Sequence, residues 1–208
     1  MNTFSHSLKK RLTLSSPTQV KQKIVREIIQ PENQLEQAIV QNPTWLEGAF
    51  WGEPRTGHPE GKIIYHIREV LANVHQLNCS KKIRRQLRLI ALIHDTFKFQ
   101  EEQIRPRKDW SKHHAIYALK FARNYLVEQE VLDAIELHDE AYYAWGMVYY
   151  HRNILGGLHR LDMVKRRMRK HLQLYYLFFK CDTQTGDKTQ QPVHWFEQKV
   201  KDIELVVI

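Results

Sequence analysis

The chain has 208 residues, 42% of them hydrophobic and 26% charged, with a formal net charge of +9. This length and balance suit one well-filled domain, exclude disorder over most of the chain and leave no clear material for a second domain. Two cysteines without CxxC spacing, Cys79 and Cys181, exclude a disulfide framework and point to a reducing compartment, and no run of about 18 apolar residues offers a membrane span.

The first seventeen residues read as a polar, basic tail without the apolar stretch of a signal peptide, so a cytoplasmic protein is expected. Residues 18–41 have helical spacing (Val20, Ile24, Ile28, then Leu35 and Ile39) interrupted at Pro31. Residues 42–61 hold three Pro, four Gly and two Trp, which predicts a structured loop that packs on the core or lies over a site. From Lys62 onward the spacing predicts helices over about 62–77, 81–99, 111–127, 130–150, 154–168, 170–182 and 193–203. Their connections are marked by Asn78, Ser80, Pro106, Gly156, Gly157, Gly186 and Pro192. No sustained period-2 alternation occurs, so the expected fold class is all-α. The expected organisation is a helical domain over 58–208 with a tail, helices and Trp-rich loop over 1–57 packed on it.

The apolar stripes of five of these helices are broken by polar residues. Ile63, His66, Ile67, Val70, Val74 and Leu77 share one face, and Ile83, Leu87, Ile90, His94 and Phe97 share another, with Asp95 beside His94. The following stripes are His114, Ala118, Phe121, Tyr125; then Val131, Ile135, His138, Tyr142, Trp145; then Leu172, Tyr175, Phe179, Asp182. One histidine in a core is most often a satisfied structural residue. Five helices each pointing a His or Asp inward are different, because burying such groups without partners costs about 1–3 kcal/mol or more apiece. A metal ion that collects them supplies every partner at once.

At His66, His94-Asp95 and a downstream Asp the chain resembles the HD-domain superfamily of metal-dependent phosphohydrolases. HDTFK matches the HD-x-x-K core, with Phe97 where the family usually has glycine. YHIREV supplies His66, and KHHAIYALKFA supplies His114 in preference to His113. ELHDEAYYAW supplies His138. For the closing aspartate, Asp182 in LYYLFFKCDTQTGDK is preferred to Asp162 in LHRLDM, because Asp182 continues its own stripe.

The resemblance implies an HD-type helical bundle and an enzyme that hydrolyses a phosphomonoester or phosphodiester, of a nucleotide or a nucleic-acid end, by a metal-activated water. His66, His94, Asp95 and Asp182 are the implied metal ligands. Asp95 and Lys98 are the implied catalytic residues, and His114, His138 and Lys188 the substrate-binding ones. If His114 and His138 also ligate, two ions are bridged by Asp95. Imidazole and carboxylate donors without thiolate suit Mn, Fe, Co, Ni or Zn, as one or two ions. The partner is an anionic, phosphate-bearing substrate; nucleic acid also fits the charge, a membrane is not expected, and oligomeric state stays open.

Two alternatives stand beside this reading: a di-iron oxygenase on the same fold, and a non-catalytic nucleotide- or RNA-binding HD domain. The basic runs at 81–85 and 165–170 read as solvated helix faces or as a grip for a polyanion. Asp139 reads as a solvated charge or as a group that holds an imidazole or orients water. Arg55, His58 and Glu60 read as a self-pinned turn or a substrate lid, and no Walker loop or nucleophile elbow is present.

Overall fold

The computed structural model describes residues 16–103 and 110–208; the basic tail over 1–15 and the connection at Pro106 lie outside the described residues. No β-strand occurs among the described residues, only an isolated bridge between Arg55 and His58. Three short helices lead: α1 (Pro17–Ile29), α2 (Gln34–Gln41) and α3 (Pro43–Ala49). The bundle follows as α4 (Ile63–Gln76), α5 (Lys81–Ile93), α6 (Lys98–Glu102), α7 (His114–Ala122), α8 (Gln129–Leu137), α9 (Glu140–Tyr149), α10 (Ile154–Met168), α11 (Leu172–Thr183) and α12 (Gln191–Lys199).

The leading helices start on sequence signals. Ser16 and Gln19 make a reciprocal capping box before Pro17, and Asn33 Oδ1 accepts from the Glu36 amide to start α2. On α1 the buried residues are Val25 and Ile29 rather than the expected Val20, which is 46% exposed, while Ile24 and Ile28 pack at the core's edge.

The expected loop over 42–61 begins as a helix. Asn42 caps α3 by accepting from the Thr44 and Trp45 amides, and Pro43 sits at the first helical position, where its missing N–H costs nothing. The Pro and Gly content that reads as loop therefore includes a helix start. A Cβ added to Gly48 would fall 1.7 Å from the Thr96 carbonyl oxygen, so only glycine lets α3 lie this close to the turn after α5. Trp45 Nε1 donates to the Leu92 carbonyl at 2.7 Å and fixes the same contact.

Helix α5 is the axis of the fold. Every residue from Gln86 to Ile93 is buried, because α2, α4, α8 and α11 cover it. The charge this encloses is matched by a neighbour: Arg88 forks onto Glu36 with Nε–Oε1 at 2.9 Å and Nη2–Oε2 at 2.8 Å. Around it, Trp45, Ile64, Ile67, Tyr175, Phe178 and Phe196 fill the core.

Two helices expected as continuous are each broken at a His-Asp pair. The expected 81–99 helix stops at Ile93, turns through residues 94–97 and resumes as α6. The expected 130–150 helix stops at Leu137 and resumes as α9 at Glu140. Because of the second break the stripe does not continue to Tyr142, which is 42% exposed, although Trp145 is buried. Neighbouring residues of a regular helix diverge by about 100°, so a break is what lets both members of a pair face one point.

Candidate metal centre

Four histidines and three aspartates from α4, α7, α11 and the two His-Asp turns converge inside the bundle. His66 Nε2 and His94 Nε2 are 3.2 Å apart, and Asp182 Oδ1 lies 3.0 Å from the first and 3.8 Å from the second. Beside them, His114 Nε2 and His138 Nε2 are also 3.2 Å apart. Asp95 joins the two pairs. Its Oδ2 is 3.6 Å from both His66 and His94, and its Oδ1 is 3.3 Å from both His114 and His138.

The far nitrogen of each ring is already engaged. His94 Nδ1 donates to the Ala91 carbonyl at 3.1 Å and His138 Nδ1 to the Ile135 carbonyl at 2.8 Å, each three residues back. His114 Nδ1 bonds Glu101 Oε2 at 2.7 Å, and the same oxygen accepts the His114 amide at 2.9 Å. His66 Nδ1 faces Thr185 Oγ1 at 3.3 Å, whose own proton goes to the Asp182 carbonyl at 2.7 Å. Rings held by Nδ1–H present Nε2 lone pairs inward. Two lone pairs at this separation repel unless a cation lies between them, and Asp95 Oδ1 is buried with no hydrogen-bond partner. The donors present therefore fit a metal: two nitrogen–oxygen sets, His66–His94–Asp182 and Asp95–His114–His138, with outer partners that fix the rings.

Charge at the centre follows the same logic. Burial, with Lys188 nearby, lowers the His66 imidazole to about 4 and keeps it neutral. Burial also works against charge on His114, but the surrounding carboxylates of Asp139, Asp95 and Glu101 prevail and raise it to about 10. His138 is raised as well, burial being outweighed by Asp139 and Asp95. Against the cost of burial, Lys98 and the imidazoles hold Asp95 well below the usual carboxylate range, and Lys188 and His66 do the same for Asp182. Without a metal the cluster thus keeps a proton where a cation belongs. In addition α5, α8 and α11 all end here, and their carbonyl ends add partial negative charge.

A cleft of about 450 Å³ opens over Asp95, His138, Asp139 and Asp182. Lys98 and Lys188 stand in its wall, each anchored on a candidate ligand. Lys98 Nζ bonds Asp95 Oδ2, and Lys188 Nζ donates to Asp182 Oδ1 and to the Asp182 carbonyl, both at 3.0 Å. Of the two candidate closing aspartates, Asp162 is away from the cluster, paired with Arg166 at 2.7 Å on the exposed side of α10. His113 borders the cluster at its edge, its Nε2 3.6 Å from Asp139 Oδ2, and with Glu101 and His114 it forms a further group of possible ligands. Its Nδ1 accepts the Ala115 amide to cap α7, and its Nε2 meets the Tyr143 hydroxyl at 3.0 Å.

Asp139 is more than a solvated charge: its Oδ2 lies 3.3 Å from His114 Nε2 and 3.5 Å from His138 Nε2, on the cleft side. A second His-Asp dipeptide in the sequence was the signal for it. Glu101 had no such signal, because its place depends on the break before α6. His58 lines the cleft, with Nδ1 on Glu60 Oε1 at 2.9 Å, and the 55–61 loop is pinned rather than free. The Gly57 amide donates to Asp187 at 2.6 Å, and Gly186, at φ +56°, lets the two loops touch.

The HD-domain family model matches residues 63–171, just over half of the chain and the whole stretch from His66 to Asp139. The chain belongs to the HD-domain family. HD domains generally bind divalent metals and act as phosphohydrolases, and the His and Asp clusters here can hold such ions. No curated protein and no solved structure matches this chain. Asp182 and Lys188 lie beyond the matched stretch and join the centre by geometry alone. No helix among the described residues is long and apolar enough to cross a membrane.

Proposed function

We propose that this HD-domain protein is a phosphohydrolase with two metal positions, cleaving a phosphomonoester or phosphodiester of a nucleotide or a nucleic-acid end. The observation that carries this reading is Asp95, whose two buried oxygens each face an imidazole pair with inward lone pairs. His66, His94, Asp182 and Asp95 would hold one ion; His114, His138 and Asp95, with Asp139 close by, would hold the other. Under this reading His114 and His138 act on substrate through the metal rather than by direct contact. Divalent ions held there supply Lewis acidity, lowering the pKa of water and polarising a phosphoryl oxygen.

The chain's own groups do the remaining work. Lys98 and Lys188 are cationic and border the cleft, so they neutralise phosphoryl oxygens as negative charge builds. Asp139 stands at the cleft edge of the His114–His138 pair, placed to accept the proton of the attacking water. Hydrolysis adds water across one P–O bond, and that proton ends on the released alcohol.

Protein loaded with Mn²⁺ or Co²⁺ is expected to cleave a generic phosphate ester, and a screen of nucleotides, cyclic phosphates and RNA ends then narrows the substrate. His94→Ala should abolish cleavage together with metal at its position. Cleavage that persists in this variant would overturn the reading.

A further inference from the structure

Nine of the chain's 32 Lys and Arg residues lie in two runs toward the opposite end of the same helices. Because α5, α8 and α11 all finish at the centre, their first turns come together at the far pole, about 20 Å away along α5. Arg85 bonds Glu128 at 2.8 Å and Gln86 Nε2 donates to Glu130 at 3.0 Å, tying the starts of α5 and α8. Glu130 and His171 line one groove, and Arg167 pairs with Asp133 and Glu136 of α8, so the end of α10 and the start of α11 border the same place.

The two basic runs, 81–85 and 165–170, therefore meet on one face. They carry nine Lys and Arg residues. The carboxylates here are mostly spent on partners: Glu128 on Arg85, Asp133 and Glu136 on Arg167 at 2.6 and 2.7 Å, and Asp162 on Arg166. Lys81, Lys82, Arg169 and Lys170 are exposed and make no ion pair among the described residues. Between α8 and the α10–α11 turn runs a groove of about 570 Å³, lined on one side by Arg166, Arg167, Arg169, Lys170 and His171 and on the other by Gln129, Glu130 and Asp133. Arg169 sits at φ +46°, ψ −122°, a strained backbone state for a non-glycine residue.

We propose that this pole binds a nucleic-acid strand through its phosphates, at a site separate from the metal centre. A concave, arginine-rich groove suits a strand, since guanidinium forks match phosphate oxygens. A lipid bilayer is flat and calls for apolar side chains beside the cations; among the described residues next to Glu128, Val127, 91% exposed, is the large apolar one. The inference does not depend on the hydrolytic reading, and a strand held here leaves the cleft free.

The test is fluorescence anisotropy on the metal-loaded full chain with a labelled single-stranded RNA, phosphorothioate throughout so that it resists cleavage. Binding should weaken steeply with salt. The variant K81E/K82E/K170E should bind at least tenfold more weakly, with a log–log salt slope shallower by about 2, at ~0.7 per lost phosphate contact on a single strand. Its circular dichroism, metal content and activity on a small phosphate ester should match the unaltered protein. Equal affinity in the variant would overturn the proposal, as would absence of RNA binding at low salt or retention on phosphatidylserine vesicles without RNA binding. Loss of RNA binding in Asp95→Asn but not in the triple variant would place the strand at the cleft and overturn it too.

Discussion

The two His-Asp turns use the same local device to different ends. In each, a helix stops, the histidine donates Nδ1–H to the carbonyl three residues back, and the aspartate swings to the same point as the ring. Their aspartates differ in setting. The Asp95 side chain is 3% exposed, touches both imidazole pairs and is covered by Lys98, whereas Asp139 is 25% exposed and touches one pair from the cleft side. Under the proposed function the enclosed carboxylate holds the centre together, and the open one meets what enters.

The sharpest way to break that contrast is to neutralise each aspartate in turn. Asp95→Asn should remove metal from both positions and lower ester hydrolysis by at least about a thousandfold, as read by elemental analysis and kinetics on the same sample. Asp139→Asn should keep the metal at the His66–His94 position yet slow turnover by on the order of a hundredfold, the size of a lost proton-transfer partner. If the two variants lost the same metal and the same activity, the turns would not differ as described.

Smaller effects sharpen the picture. Glu101→Gln weakens the hold on His114 Nδ1, and metal affinity at the His114–His138 position should fall about 10–100-fold, with the other position unaffected; paired metal titrations check this. Tyr175 bridges the second turn by donating its hydroxyl to the Leu137 carbonyl at 2.9 Å and accepting the Ala141 amide at 3.1 Å. Tyr175→Phe leaves both unsatisfied in the core, which should cost about 1–3 kcal/mol in urea unfolding.

The pH response is the subtlest. In metal-free protein the raised His114 pKa, about 10 against an ordinary 6.5, stabilises the fold fully below pH 6.5 and is lost as pH rises through 10. The lowered Asp95 and Asp182 act in the opposite sense, their contribution being present above the ordinary carboxylate range and lost in acid. A metal displaces the His114 proton, so uptake near pH 8 should release protons and tighten as pH rises. Calorimetry in buffers of different ionisation heat should show this, and heats independent of buffer would contradict it.

Much of this was legible in the sequence. The stripes through His66, His94, His114, His138 and Asp182 pointed each residue inward, and the structure brings all five together. Periodicity could not show the helix breaks at 94–97 and 138–139, because apolar spacing reads through a single turn without losing phase at once. Those breaks hid Glu101, displaced Tyr142 outward and gave Asp139 its reach. α3 is hidden for another reason: Pro43 and Gly48 read as breakers, while one starts the helix and the other permits close approach to Thr96.

Anomalous diffraction from crystals grown with Mn²⁺ tests the central claim most directly. Two peaks are expected, one within reach of His66, His94, Asp182 and Asp95 and the other within reach of His114, His138 and the second Asp95 oxygen. A cluster without metal density, or ions bound only elsewhere, would contradict the account.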